Sequence, residues 1–160
     1  MTNDVPLKTS DRTMRALLQR VKRASVTVDG EVTGEIGQGL LVLLGAGEGD
    51  EVDDLDYVVD KTVHLRIFAD EDDKMNLSVK DVDGEILVVS QFTLYADVRK
   101  GRRPSFVKAM NASDADEMYQ RFVARCEEHV RNVETGVFGE MMDVELVNDG
   151  PVTIWVDSNE

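Results

Sequence analysis

Close to the C-terminus, the run Asn148-Asp149-Gly150-Pro151-Val152-Thr153 separates two apolar, β-branched stretches, residues 144–147 and 152–156. Each stretch alone has the composition of a strand. The proline between them has no N–H to give to a ladder, and it restricts the residue before it. A plain strand therefore cannot run through both, and something else must stand at Gly150-Pro151. Roughly 5–6% of X-Pro bonds in folded proteins are cis, so the dipeptide by itself favours a trans bond in an ordinary connection.

The remainder reads as one α+β domain. Residues 15–21 and 24–28 have strand character, Asp29-Gly30 signals a turn, and residues 31–36 return as a hairpin. Residues 40–44 are wholly apolar between glycines, the pattern of a strand buried on both faces. From Asp50 the period changes. Val52, Leu55, Val58 or Val59, Thr62 and Leu65 recur at helical spacing behind an acidic first turn, which complements the helix dipole. A second helix is predicted after Ser113 as N-cap, with Asp116 three residues on and Met118, Phe122, Cys126 and Val130 on its buried stripe. Asp83-Gly84 then introduces a strand at 85–94, and residues 133–137 precede the two stretches around Gly150. The sum is a largely antiparallel sheet with two main helices.

Composition narrows the class. A chain of 160 residues is long enough for one core and short for two. No apolar run approaches the roughly 18 residues of a membrane span, so a soluble protein with no membrane partner is expected. The single cysteine, Cys126, excludes an internal disulfide and leaves no zinc-ligand cluster. His64 and His129 fall in helix-like segments with no Cys or His at i+3 or i+4, so no metal or other cofactor is expected, and a reducing, cytoplasmic setting fits. The formal charge of −14 opposes generic nucleic-acid binding, and no DNA partner is expected. The charge is uneven, however. Arg15, Arg20, Lys22 and Arg23 crowd the start of the domain, and Arg99, Lys100, Arg102 and Arg103 crowd one loop.

Hydrolytic machinery is not legible from residue types. There is no G-x-S-x-G elbow, no H-E-x-x-H, and no histidine near Ser90, Thr93 or Cys126 in sequence. Two runs carry more information: Ser90-Gln91-Phe92-Thr93-Leu94, and Asn148-Asp149-Gly150-Pro151-Val152-Thr153. In order along the chain stand also residues 14–21, Lys74-Met75-Asn76-Leu77-Ser78, residues 99–106 and Val133-Glu134-Thr135-Gly136. Together these resemble the D-aminoacyl-tRNA deacylases, in which SQFTL-type and NxGPVT-type runs mark the active site.

That resemblance implies a barrel-like fold of the deacylase type and a homodimer. It also implies hydrolysis of the ester in tRNA charged with a D-amino acid, or with glycine. The ester is labile and carries a neighbouring 2'-hydroxyl, so orientation and oxyanion stabilisation can supply most of the catalysis. On this view Ser90, Gln91, Phe92 and Thr93 form the catalytic segment, with the backbone amides of Gln91, Phe92 and Thr93 as donors. Against it stand Phe92 as core and Ser90 and Thr93 as strand hydroxyls bonded to backbone. Thr93 lacks an adjacent base, which favours a positioning role over a nucleophilic one. The resemblance further implies a cis Gly150-Pro151 bond whose carbonyls enter the partner subunit's site as a chiral gate, held by Arg20. The plainer readings are a turn proline and a solvated strand arginine. Phe138 and Met142 match positions that pack on the terminal adenine; core packing is the alternative, and Met141 leaves the register open by one. Residues 99–103 could reach acceptor-stem phosphates or be a solvated loop.

The family begins at the position of Met14. Residues 1–13 are polar, aperiodic and unlike a secretory signal, and are expected to be a flexible extension preceding a single domain at 14–160. Two rival functions remain: a noncatalytic module of the same fold that binds a tRNA end or nucleotide, and a threonine-dependent hydrolase of small esters or peptides.

Overall fold

The computed structural model describes residues 12–159. Most of the predicted N-terminal extension thus lies outside the described residues. Of its last two positions, Arg12 is ion-paired to Asp54 at 3.1 Å and Thr13 is buried.

Strand β1 (Arg15–Val28) is the spine of the sheet. It pairs antiparallel with β2 (Glu31–Ile36), β3 (Gly39–Gly45) and β8 (Asp143–Asp157). Its first half lies between β3 and β8, and its second half between β2 and β8. The two predicted runs, 15–21 and 24–28, are therefore one strand. The exposed pair Lys22-Arg23 interrupts the apolar pattern without ending the backbone ladder. Beyond β3 come β6 (Glu85–Ser90) and β7 (Val133–Thr135), each parallel to its neighbour. These parallel pairings follow from the helices. α1 (Val52–His64) and the small β4–β5 hairpin (Phe68–Ala69, Met75–Leu77) lie between β3 and β6, and α2 (Ala112–Glu127) lies between β6 and β7. Parallel strands need such crossovers. At the far edge, Gly34 of β2 approaches β7 so closely that an added Cβ would stand 2.5 Å from the Thr135 carbonyl, and the sheet curls almost into a barrel.

The core has two compartments, one on each face of the β3–β6 layer. Leu40, Val42, Leu44, Ile86 and Val88 pack with Leu55, Val58, Val63, Phe122 and Cys126 of the helices. Leu41, Leu87 and Val89 face the barrel interior with Val21, Val26 and Ile36. This explains why residues 40–44 contain no polar position. Helix starts differ from expectation by a few residues. Asn111, not Ser113, caps α2, its side chain accepting from the Asp114 amide at 3.0 Å. Val52 opens α1 on the exposed side, while Leu55, Val58, Val59 and Thr62 are buried as predicted. Among the described residues no helix is long and apolar enough to cross a membrane.

Cys126 is fully buried, and burial pushes its thiol up to about 12. The thiol should be inert to a disulfide reagent in native buffer and react fully, one per chain, in denaturant. Rapid native-state reaction would contradict its place in the α2 core.

Candidate active site

The β6 strand ends four residues before the predicted limit. It stops at Ser90; the Gln91 amide donates to the Leu44 carbonyl at 2.8 Å, and Phe92–Tyr95 coil into one 3₁₀ turn. β3 finishes at Gly45, so a longer β6 would have no partner there. The turn is seated on that glycine. An added Cβ would come within 2.8 Å of the Tyr95 ring and 3.1 Å of the Gln91 carbonyl. Tyr95 is buried and its hydroxyl, a single donor, lies within hydrogen-bond reach of the Gly45 carbonyl at 2.9 Å and of that of Thr13.

This geometry sorts the SQFTL residues. The Gln91 amide is occupied by Leu44, which narrows the three expected donors to two. The amides of Phe92 and Thr93 open the turn, where a helix offers them no acceptor of its own. The Gln91 side-chain amide donates to the Thr93 hydroxyl. A carboxamide donor cannot remove a proton, so it orients Thr93 without making it a nucleophile. Phe92 is not core: it is 56% exposed, its ring edge-on to Phe106 at 5.0 Å.

Ser90, Gln91 and Phe92 line one wall of a cleft of about 690 Å³. Phe138 and Met142, from the β7–β8 connection, line it too, with Tyr119 of α2 and Phe106 and Met110 from the preceding loop. Phe138 leans on Tyr119 at 5.9 Å between ring centroids, and the Tyr119 hydroxyl donates to the Val88 carbonyl at 3.3 Å. Burial raises the Tyr119 phenol above its ordinary value, so it is a neutral donor at working pH. Met142 is fixed by the Val137 amide, which donates to its sulfur at 3.4 Å, and by Gly136, where a Cβ would stand 2.6 Å from that sulfur. Met141 also reaches the cleft rim but is 90% exposed, so Met142 is the anchored member of the pair. Tyr119 and Met110 were not singled out in sequence as lining residues, and Phe106, though it ends the run 99–106, was given no role in the cleft. Among the described residues Glu140 is the one charged side chain on the cleft wall, and the two histidines lie elsewhere, touching each other edge-on at 5.5 Å.

The second motif forms a separate feature outside this cleft. Opposite Arg20 the ladder between β1 and β8 slips: Gln19 pairs with Thr153 and Val21 with Asn148, so residues 149–152 project as an excursion. β8 is thus one element carrying an interruption, where two strands were expected. The Asn148 side chain closes the excursion, accepting from the Val152 amide at 2.8 Å and donating to the Thr153 hydroxyl at 3.0 Å. Gly150 has φ +137° and no room for a side chain, since a Cβ would stand 2.8 Å from Val152 Cγ2. The Gly150-Pro151 bond is cis, and both residues are exposed. Arg20, mostly buried, holds the projection: Nε donates to the Asp149 carbonyl at 3.0 Å and a terminal nitrogen donates to the Ile67 carbonyl at 2.6 Å. Asn148 stands in the motif, but its role as a staple was not read from it.

Comparison with known proteins bears on the whole chain. The family described as D-Tyr-tRNA(Tyr) deacylase matches residues 17–157. A D-aminoacyl-tRNA deacylase of Clostridium acetobutylicum is 53% identical over 147 residues, 92% of this chain and 99% of its own. Among solved structures, a c-Myc DNA unwinding element binding protein is 44% identical with a TM-score of 0.84, covering 89% of this chain and 97% of that one. A probable eukaryotic D-amino acid tRNA deacylase shares the fold at 20% identity, with a TM-score of 0.79 over 91% of this chain and 99% of that one. With the motifs, the barrel-like α+β fold and matches over nearly the full length in agreement, the chain belongs to the D-aminoacyl-tRNA deacylases, a family of hydrolases that act on charged tRNA.

Proposed function

We propose that the cleft holds the 3'-terminal adenosine of tRNA and hydrolyses its ester to a D-amino acid or to glycine. The observation that carries this reading is an aromatic and methionine lining in one cleft with Phe92 on its wall, at the start of a 3₁₀ turn whose first amides, those of Phe92 and Thr93, have no acceptor within the turn. Phe138 and Met142 offer faces for the adenine, since a base needs only a π surface or a polarizable thioether against it. The amides of Phe92 and Thr93 receive the oxygen that becomes negative as the ester carbonyl is attacked; one such donor is worth about 10² to 10³ in rate. No histidine stands on the cleft wall among the described residues, and its carboxylate, Glu140, is exposed to solvent, so the proton transfer is assigned to the substrate's own vicinal hydroxyl and to water.

Selectivity is assigned to the projection at Asp149–Pro151 of a second subunit. It lies outside its own cleft, exposed and rigidly held, as a group that acts on a partner would be. Backbone at that point excludes whatever an L-residue would direct toward it, while a D-residue turns its side chain away and glycine has none. No pocket fits any one side chain, so several D-amino acids should be accepted.

Hydrolysis of D-tyrosyl-, L-tyrosyl- and glycyl-tRNA by chelator-treated protein tests the reading. The D ester and the glycyl ester should be cleaved at least about a hundredfold faster than the L ester. Equal cleavage of D and L would remove the gate. Cleavage of none, with tRNA still bound, would support the noncatalytic module.

A further inference from the structure

The loop preceding α2 has no part in the chemistry above, yet it borders the cleft. Residues 97–105 form a small hairpin closed by an antiparallel bridge, in which the Asp97 amide donates to Ser105 at 2.8 Å and the Ser105 amide donates to Asp97 at 2.9 Å. Its base is fixed to the cleft through Phe106, which lines the wall and meets Phe92 edge-on. A second tie runs from the Glu48 amide to the Lys108 carbonyl at 2.8 Å. Gly101, at φ +64°, turns the tip.

The charge on this hairpin runs against the rest of the molecule. Between Asp97 and Lys108 stand five cations and one carboxylate, in a chain of net charge −14. Elsewhere the arginines are mostly neutralised: Arg12, Arg15, Arg121, Arg125 and Arg131 each lie against a carboxylate. Arg99 is likewise committed, gripping Asp97 through two nitrogens at 2.9 and 2.7 Å and holding that carboxyl well below the usual carboxylate range. Arg99 thereby stiffens the hairpin. Lys100, Arg102 and Arg103 are exposed and make no ion pair with any described residue.

We propose that Lys100, Arg102 and Arg103 form the docking surface for the phosphate backbone of the RNA whose 3' end enters the cleft. This rests on the proposed substrate. An acidic body repels a polyanion over most of its surface, so the strand's approach is decided where free cations stand. Lys22 and Arg23 on β1 are likewise exposed, but Lys100, Arg102 and Arg103 stand on a hairpin tied to the cleft wall through Phe106. Contacts of this kind position the RNA without reading its sequence, and a fixed hairpin loses less entropy on binding than a loose one.

The test uses an uncharged acceptor-stem minihelix ending in CCA, titrated against the full-length protein and against K100Q/R102Q/R103Q at several salt concentrations. A variant of equal charge change on other surfaces, K80Q/R121Q/R131Q, is the control. Loss of three phosphate contacts should weaken binding by about 10- to 100-fold near physiological salt and flatten the log–log salt slope by about 2 to 3. The control should change neither by more than a small fraction of this. Thermal midpoints should stay equal, because all three residues are exposed. An unchanged slope in the hairpin variant, an equal loss in the control, or retained RNA binding with lost binding to anionic lipid vesicles would each overturn the proposal. Hydrolysis of a D-aminoacyl adenosine fragment, too short to reach the hairpin, should be the same in both variants and in the parent protein. If the parent cleaves no ester while the hairpin variant still loses minihelix affinity, the catalytic reading fails and the docking surface stands.

Discussion

Replacing Arg20 with alanine should lower kcat/KM for a D-aminoacyl-tRNA by roughly 10- to 100-fold and bring the D and L rates closer together. The side chain is mostly buried and spans two backbone segments, the Asp149 carbonyl on the projection and the Ile67 carbonyl in the loop after α1. A hydrogen bond from a charged donor contributes about 1.5–3 kcal/mol, and a tenfold change in rate corresponds to about 1.4 kcal/mol. Losing both bonds frees residues 149–152 exactly where the β1–β8 ladder has no rung to restrain them. Lysine should not repair the loss, because a single ammonium cannot satisfy two carbonyls in the fixed directions that a guanidinium fork can. The glycyl ester is the internal control: it presents no side chain to a gate, so its rate should fall less than that of the D ester. Rates on the three esters for R20A and R20K, with thermal midpoints for both, decide the matter. An unchanged D-to-L ratio would return Arg20 to the status of a structural strand residue.

How far the sequence foretold the molecule depends on whether the signal was local. The buried face of α1 and the double-sided strand at 40–44 were legible, because burial imposes a period on consecutive residues. The end of β6 was not. Phe92 and Leu94 continue an apolar pattern, while the reason the strand stops is the end of β3 at Gly45, some forty-five positions earlier. The parallel pairing of β3 with β6 was equally invisible, since residues 85–90 would look the same beside either neighbour. In the cleft, the resemblance supplied Ser90 to Thr93, Phe138 and Met142, and the structure gathers five of these six on its wall, with Thr93 tied behind Gln91. Tyr119 belongs there as well, yet on a helix read for its apolar stripe a tyrosine says nothing about the strand it reaches.

Asp50 is the sharpest case of a residue whose sequence context misleads, and it yields the largest expected effect of pH. It stands just before an acidic helix start, the sequence context of a solvated residue, but it is only 7% exposed. One carboxylate oxygen accepts from the Gly47 amide at 2.6 Å, and the other has no partner among the described residues. Burial, aided by the negative charge of Asp54 and opposed by the Gly47 amide, pushes this carboxyl up from 3.8 to about 7. The folded state therefore holds the proton more tightly than the unfolded chain does. Stability from this group is fully present below about pH 4, is lost as pH rises toward 7, and is flat above about pH 8. A carboxyl raised from 3.8 to about 7, at 1.36 kcal/mol per pH unit, sets an upper estimate of about 4 kcal/mol. Asparagine cannot ionise and keeps an oxygen for Gly47, so Asp50→Asn should erase this slope whatever its effect at any single pH. Unfolding free energies from urea titrations at pH 5, 6, 7 and 8 isolate the effect, because the other carboxylates cancel in the difference between the two proteins. That difference should move in favour of Asp50→Asn by 2 kcal/mol or more, about half the upper estimate, across the series. Parallel curves would mean that Asp50 is ionised in the fold and that water or a cation, not a proton, satisfies its second oxygen.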